Sequence, residues 1–286
     1  MIINCKEIAI EKKKYLREKI ERLEREAYLS NSKVYTPSLA VIQIGDNPAS
    51  NSYIKGKRND CEEIGYDFRH YKFEEVDEHN IVEKFNKVKD LINKLNIDKK
   101  VSGIILQLPT PFSKEQEHLL TQLITPEKDV DGFGLNSPYT PCTPLGIMEI
   151  LKEEKVEISG KYAVVIGRSD IVGKPVANLL LNENATVTIC HSKTQNLSEI
   201  TKMADIIVVA TGHRNTLTKD MIKENCVIID VGINRNEAGK LCGDVDFEGC
   251  KEKASKITSV PGGIGLMTRV ALMENTYNAW LKQQNK

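Results

Sequence analysis

Short apolar runs rich in β-branched residues alternate along this chain with stretches whose apolar positions recur every three or four residues. That is the pattern of parallel strands joined by helices. Near the N-terminus Ile8, Leu16, Ile20 and Leu23 form a loose apolar stripe and predict a charged helix over 6–29. Runs at 39–44, 68–73 and 102–108 read as strands, with helices over 52–64 and 81–95 and Ser50 or Asn51 as the cap of the first. The proline-dense stretch PYTPCTP at 138–144 reads as a linker, with Thr143 capping a helix over 144–154. Beyond it, strands are expected at 163–167, 185–190, 205–210, 226–231 and 257–260, and helices after 172, over 197–203, over 219–225 and over 266–281. The expected fold class is therefore α/β with two domains. Residues 1–142 plus 266–286 form one, and residues 143–265 form the other, with a mostly parallel sheet.

The most informative stretch is KYAVVIGRSDIVGKPVANLLL, 161–181. An apolar run ends at Gly167, Gly173 follows six residues later, and Val172, Val176, Leu179 and Leu180 then recur at helical spacing. Strand, glycine-marked turn and helix open a dinucleotide-binding unit, in which helix N-terminal N–H groups face a pyrophosphate. Ser169 stands where the second glycine of the usual fingerprint belongs, so this stretch alone fits an ordinary strand-to-helix turn equally well. The next strand changes the balance. An NAD site tends to end it in a carboxylate for the ribose 2′-hydroxyl, whereas here it runs into His191, Ser192, Lys193 and Thr194. Arg168 in the turn and Ser192 at the strand end offer donors suited to a 2′-phosphate, which favours NADP over NAD.

Composition narrows the class without choosing a chemistry. The 286 residues are 40% hydrophobic and 28% charged, as in a soluble globular protein, and forty basic residues cancel forty acidic ones. Nothing in that balance points to nucleic acid or an anionic membrane. The start lacks the apolar core of a signal peptide, and no apolar run is long enough to span a bilayer. Seven scattered cysteines without a C-x-x-C pair suggest free thiols in a reducing cytoplasm, and no metal site is expected.

Candidate chemistry lies in four places. Tyr53 and Lys57 are four apart and share a helix face, where a partly buried amine beside a ring suits proton transfer on a flat ligand, although such pairs are commonly solvated surface. Gln107 is a lone amide at the carboxyl end of an apolar strand, either a satisfied core group or a substrate contact. Asp129 and Asp131 bracket Val130 before Gly132 and Gly134, as a plain turn or as an acceptor for an amino-pyrimidinone edge. PGGIG at 261–265 carries three glycines in five residues and lets a flat ligand approach the main chain, or serves as a hinge. ATG at 210–212 and DVGIN at 230–234 are further glycine-marked strand exits, and GDVDF at 243–247 follows them.

Taken together, Y-x-x-x-K at 53–57, QLPTP at 107–111, DVDGF at 129–133, PCTP at 141–144, GRSDIVGKP at 167–175, CHSKT at 190–194, DVGIN, GDVDF, PGGIG and MENT at 273–276 resemble the bifunctional methylenetetrahydrofolate dehydrogenase/methenyltetrahydrofolate cyclohydrolase family, in order and over nearly the whole chain. The resemblance implies an N-terminal folate-binding domain and a Rossmann-like NADP-binding domain with a cleft between them. It implies oxidation of 5,10-methylenetetrahydrofolate with NADP, then hydrolysis to 10-formyltetrahydrofolate. Lys57 would be the general acid/base, Tyr53 would stack on the folate, Gln107 would tune Lys57 and Asp131 would hold the pterin edge. Leu106, Gln107 and Leu108 with Pro261, Gly262, Gly263, Ile264 and Gly265 would line the folate, and Gly167, Arg168, Ser169, Ser192 and Ile233 would contact NADP. It also implies a cytoplasmic homodimer in the one-carbon metabolism that serves purine, histidine and methionine biosynthesis. The chain departs from the usual pattern at Thr110 for Leu, at Ser259 and Leu266 for prolines, and at Arg269 where an apolar residue is common. Losing two prolines should loosen the folate-side loop. A dehydrogenase lacking cyclohydrolase activity, a non-catalytic folate or nucleotide binder, and an amino-acid or shikimate-type dehydrogenase remain as alternatives.

Overall fold

The structure, a computed structural model, describes residues 1–30, 35–77 and 79–284. The chain divides into two compact units. One comprises residues 11–142 and 269–286, the other residues 1–10 and 143–268. The first ten residues thus depart from the sequence boundary. Ile2 bridges Ile257 and the Ile3 N–H donates to the Ile257 carbonyl at 2.9 Å, so the N-terminus extends the second unit's sheet.

In the first unit the order is α1 (Cys5–Leu29), β1 (Ser38–Ile44), α2 (Pro48–Ile64), β2 (Asp67–Phe73), α3 (Ile81–Ile97), β3 (Gly103–Leu106) and α4 (Lys114–Gln122). The three strands are parallel in the order β2-β1-β3. β1 is buried throughout, as its unbroken run SLAVIQI requires of a strand covered on both faces. Ile42, Ile44, Ile104 and Leu106 pack with Val88 and Ile92 of α3 and Leu120 of α4 in one core. The sequence pattern missed α4, a short helix with a weak apolar stripe. A reciprocal cap holds it: Ser113 Oγ accepts from the Gln116 N–H and Gln116 Oε1 from the Ser113 N–H. Thr110 donates to the buried Glu117 carboxylate from its N–H at 2.8 Å and its hydroxyl at 3.0 Å.

The cap of α2 also differs from expectation. Asn47, not Ser50 or Asn51, receives the Ala49 and Ser50 N–H groups at 2.9 and 3.1 Å, and Pro48 takes the first helical position, where no N–H is needed. Gly65 ends the helix at φ +93°.

The second unit contains α5 (Cys142–Glu153), β4 (Tyr162–Ile166), α6 (Gly173–Asn182), β5 (Thr186–Cys190), α7 (Leu197–Met203), β6 (Ile206–Val209), β7 (Val227–Asp230), the two-residue strands β8 (Asn234–Arg235) and β9 (Leu241–Cys242), α8 (Phe247–Cys250), β10 (Lys256–Ile257) and α9 (Ile264–Gln284). Helices α1, α5 and α9 each contribute residues to both units. The sheet is parallel in the order β10-β7-β6-β4-β5. The strand order reverses at β4, so the crevice at the carboxyl ends of β4 and β6 is the expected ligand position. Two expectations fail here. Residues 219–225 form only a single 3-10 turn, Lys219–Met221, because Lys223 is drawn to Asp205 and Asn225 adopts φ +63°. The helix expected from Pro144 starts at Cys142, so Thr143 lies inside it and its hydroxyl meets that of Thr268 at 3.0 Å.

Two buried carboxylates lock the strand ends. Asp230 accepts the N–H groups of Gly232, Asp244 and Val245 at 2.9, 2.9 and 3.0 Å. Asp244 accepts from the N–H groups of Thr211 and Gly212 and from the Asn234 amide. Burial pushes Asp230 up to about 6 against those three bonds, so at neutral pH it still accepts them as a carboxylate. A Cβ on Gly243 would stand 1.8 Å from Asp230 Oδ2. Gly243→Ala should therefore cost about 1–3 kcal/mol in chemical denaturation, the range for overpacking a buried site. Glu117 supplies a pH test. Its burial opposes the charge, but bonds from Lys114 and Thr110 outweigh that and hold the carboxyl below its ordinary value. A depressed carboxyl stabilises the fold above its unfolded value of about 4.3 and loses that contribution as pH falls through the folded value. Urea titrations at neutral and acid pH should show Glu117→Gln less stable than wild type at neutrality, with a smaller loss on acidification.

Candidate active site

Lys57 lies on the buried stripe of α2 with Ser50, Ile54, Cys61 and Ile64, not on its solvated face. Only 8% of the residue is exposed, which decides against a surface pair. Its Nζ donates to Gln107 Oε1 at 2.9 Å, and Gln107 Nε2 donates to the Leu108 carbonyl at 2.7 Å. The Gln107 amide is thereby oriented: with Nε2 committed to a carbonyl, Oε1 must face the amine. Gln107 sits at the carboxyl end of β3, where its own N–H continues the ladder to Ile42. Tyr53 is half-buried one turn before Lys57.

Asp131 reaches the same site from a tight turn. Asp129 bridges Ile104 at the free edge of β3, an approach that Gly103 permits, since a Cβ there would stand 2.6 Å from Val130. Gly132 turns the chain at φ +74°. The buried Asn275 amide donates to the carbonyls of Val130 and Thr140, both at 2.9 Å, and the Cys142 thiol donates to the Val130 carbonyl at 3.3 Å. These contacts hold the carboxylate of Asp131 in place from behind.

Electrostatics favour neutral forms. Burial draws Lys57 below its ordinary value against the pull of the Asp131 carboxylate. Burial raises Asp131, offset in part by Lys57. Both shifts bring the neutral forms within easier reach than they are in water. Three buried oxygens have no hydrogen-bond partner among the described residues: Ser50 Oγ, Asp129 Oδ1 and Asp60 Oδ2, the last of them ion-paired with Arg269. Ser50 lies seven residues before Lys57 on the same buried stripe, an unused polar atom available to a ligand.

Sequence reasoning missed Ser50, Cys142 and Asn275. Asn275 lies in the MENT motif, but its isolated polar position in a C-terminal helix gave no hint that two carbonyls from a distant turn would meet it. Leu106 is buried in β3, and Leu108 is half-buried just beyond it.

The nucleotide-type residues gather in the second unit. Gly167 ends β4 at φ +133°, with space for a Cβ blocked by the Ala210 carbonyl at 2.3 Å, at the strand-order reversal. A Cβ on Gly173 would stand 2.2 Å from the Gly167 carbonyl. The turn is thus packed backbone to backbone, and Ser169 Oγ accepts from the Val172 and Gly173 N–H groups at 3.3 Å. The Gly167 N–H donates to the Cys190 carbonyl at 2.9 Å, which sets Arg168 and Ser192 at adjacent strand exits. Both are exposed, and among the described residues no protein group pairs with the Arg168 guanidinium. These features fit a phosphorylated ribose and a pyrophosphate. Ile233 is 57% exposed, an apolar side chain beyond β7 that nothing in the core requires.

Pro261 and Gly262 are exposed and Gly262 has φ +95°, whereas Gly263 is packed on the Ser259 carbonyl. Ile264 and Gly265 belong to the first turn of α9 rather than to a loop. Leu266, in place of the usual proline, donates its N–H to the Gly263 carbonyl at 3.1 Å, a bond proline could not make.

Known proteins are similar to this chain in sequence and fold. "Bifunctional protein FolD" of Bacillus subtilis (strain 168) is 49% identical over 284 residues, covering 96% of this chain and 95% of that protein. Among solved structures, the bifunctional FolD methylenetetrahydrofolate dehydrogenase/cyclohydrolase from Campylobacter jejuni superposes with a TM-score of 0.89 at 43% identity, covering 99% of each chain. The methylenetetrahydrofolate dehydrogenase-cyclohydrolase of Trypanosoma brucei, solved with NADP cofactor and an inhibitor, gives a TM-score of 0.89 at 30% identity over 100% of this chain and 99% of that one. Residues 3–131 match the catalytic domain, and residues 141–284 the NAD(P)-binding domain, of one family, and the chain belongs to it: tetrahydrofolate dehydrogenase/cyclohydrolase.

Proposed function

We infer that the protein oxidises 5,10-methylenetetrahydrofolate to 5,10-methenyltetrahydrofolate with NADP and hydrolyses that product to 10-formyltetrahydrofolate. The observation that carries the hydrolytic half is the buried Lys57 amine held by Gln107 beside Asp131. When bound, NADP supplies the hydride acceptor. Removing hydride from the one-carbon bridge leaves a methenyl cation, so that step asks no base of the protein. Hydrolysis does. Water adds to the cation, losing a proton, and the ring opens as one C–N bond breaks and its nitrogen gains a proton. Neutral Lys57 takes the first proton and, as an ammonium, returns one to the departing nitrogen. Gln107 keeps the amine pointed at the reacting carbon, and Asp131 accepts from the amino-pyrimidinone edge of the pterin. Tyr53 stacks on that ring. Pro261 to Gly265 with Leu106 and Leu108 line the folate.

On the cofactor side, Gly167, Ser169 and Ile233 contact the dinucleotide, while Arg168 and Ser192 grip the 2′-phosphate. The absence of a carboxylate after β5 supports NADP, because an acidic group there would repel a second phosphate. All seven cysteines are free thiols, which fits a reducing cytoplasm. No described helix is long and apolar enough to cross a membrane. We keep with this reading a homodimer acting in the one-carbon metabolism that serves purine, histidine and methionine synthesis.

Three measurements test it. Lys57→Met should abolish the decay of methenyltetrahydrofolate absorbance while folate still binds, and normal turnover in that variant would remove Lys57 from the mechanism. Intact wild type that reduces NADP but leaves methenyltetrahydrofolate unconsumed would make the protein a dehydrogenase only. Arg168→Gln should raise KM for NADP by roughly tenfold, the scale of one charge-assisted phosphate contact, with little effect on KM for NAD.

A further inference from the structure

Arg269 stands where the family pattern is commonly apolar, and its side chain does not reach for solvent. The guanidinium lies on the backbone of Gly56, the residue before Lys57. A Cβ at Gly56 would stand 1.8 Å from Arg269 Nη1 and 2.8 Å from its Cζ, so α2 accepts the arginine only because that position has no side chain. One turn on, the buried Asp60 carboxylate holds it, with Oδ2 2.9 Å from Arg269 Nε. Their angle is too poor for a hydrogen bond, so the contact is ionic.

Asp60 is already partnered. Its Oδ1 receives the Lys13 ammonium at 3.1 Å, and Lys13 also pairs with the half-exposed Glu63. The Asp60 carboxylate is thus shared between the guanidinium and an ammonium that also has Glu63, and a guanidinium cannot shed its proton. The groups that face Lys57 are few. From its own helix come Tyr53 and Cys61, from β3 Gln107, from the turn Asp131, from the start of α5 Cys142 and from α9 Arg269. Both thiols are pushed up by burial and stay neutral, as does the phenol. The charged groups nearest Lys57 are therefore the Asp131 anion and the Arg269 cation, the latter paired with Asp60, which Lys13 and Glu63 join in turn.

We propose that Arg269, seated on Gly56 and clamped by Asp60, is a positioning residue that biases Lys57 towards its neutral amine. Burial draws Lys57 towards the neutral amine, and Asp131 pulls it back towards the ammonium charge. The nearby guanidinium opposes that charge without touching the substrate. This rests on the reading of Lys57 as the base of the hydrolytic step.

The test is the pH profile of cyclohydrolase kcat in the full-length enzyme for Arg269→Gln, Arg269→Lys and Asp60→Asn, each checked for folding by thermal melting, with Lys57→Met alongside. Without the cation, Arg269→Gln should move the acid limb to higher pH and lower kcat several-fold near neutrality, with a smaller change in KM. Arg269→Lys keeps the charge and should restore most of the wild-type limb. Asp60→Asn frees the guanidinium from its counter-ion and should move the limb the opposite way, to lower pH. A purely structural ion pair would lower the melting temperature in both neutralised variants and leave the Arg269→Gln limb in place, and that result overturns the proposal, as do limbs moving in the same direction. If Arg269→Gln does not fold, Arg269→Met takes its place with the same expected limb shift, because Asp60→Asn removes an anion from Lys57's own helix and lowers the limb whatever Arg269 does. Normal hydrolysis by Lys57→Met would instead overturn the base assignment beneath it.

Discussion

A lysine amine on the apolar stripe of a helix must find partners or give up its charge, and the first unit is built around that constraint. Moving an unpaired ammonium out of water costs more than a small domain can spare, so the group is neutralised or paired. Here Lys57 has one neutral acceptor, Gln107, and one anion, Asp131, whose own charge burial also disfavours. Neither partner fully stabilises the ammonium. The result is an amine whose neutral form lies within easier reach than in water.

The surrounding structure serves to hold that balance. Gln107 is at the end of a fully buried strand, its amide oriented by the Leu108 carbonyl. Asp131 is held through its backbone, by the bridge from Asp129 to β3 and by the Asn275 amide on Val130. Rigid supports of this kind matter because a buried polar pair loses its tuning when either member shifts. In the second unit the same economy appears as two buried aspartates, Asp230 and Asp244, whose oxygens collect the backbone N–H groups of three loops. Loops at sheet ends are mobile unless tied, and these are tied directly beside the Gly167–Ala210 crevice.

Much of the architecture was legible because strands buried on both faces are continuous apolar runs, and these runs are unambiguous at 39–44, 163–167, 205–210 and 226–231. Where local signals were weak the reading failed. The helix expected over 219–225 is a single turn, α4 was unseen, and the cap of α2 is Asn47. For α4 and the cap of α2 the deciding bonds run from a side chain to backbone over a few residues, and for 219–225 the Lys223–Asp205 pair spans eighteen; hydrophobic periodicity carries no trace of either.

The sequence by itself determined the class of fold, the strand–turn–helix at Gly167 and the family, because apolar runs, glycine positions and ordered motifs are written residue by residue. It left Tyr53–Lys57 more readily a surface pair than a site. Only the tertiary structure decided that Lys57 faces inward, that Gln107 and Asp131 come from a strand end and a turn to meet it, and that Arg269 lies on Gly56. The physical reason is that burial and charge proximity are sums over neighbours far apart in the chain, and no local pattern records which neighbours those will be.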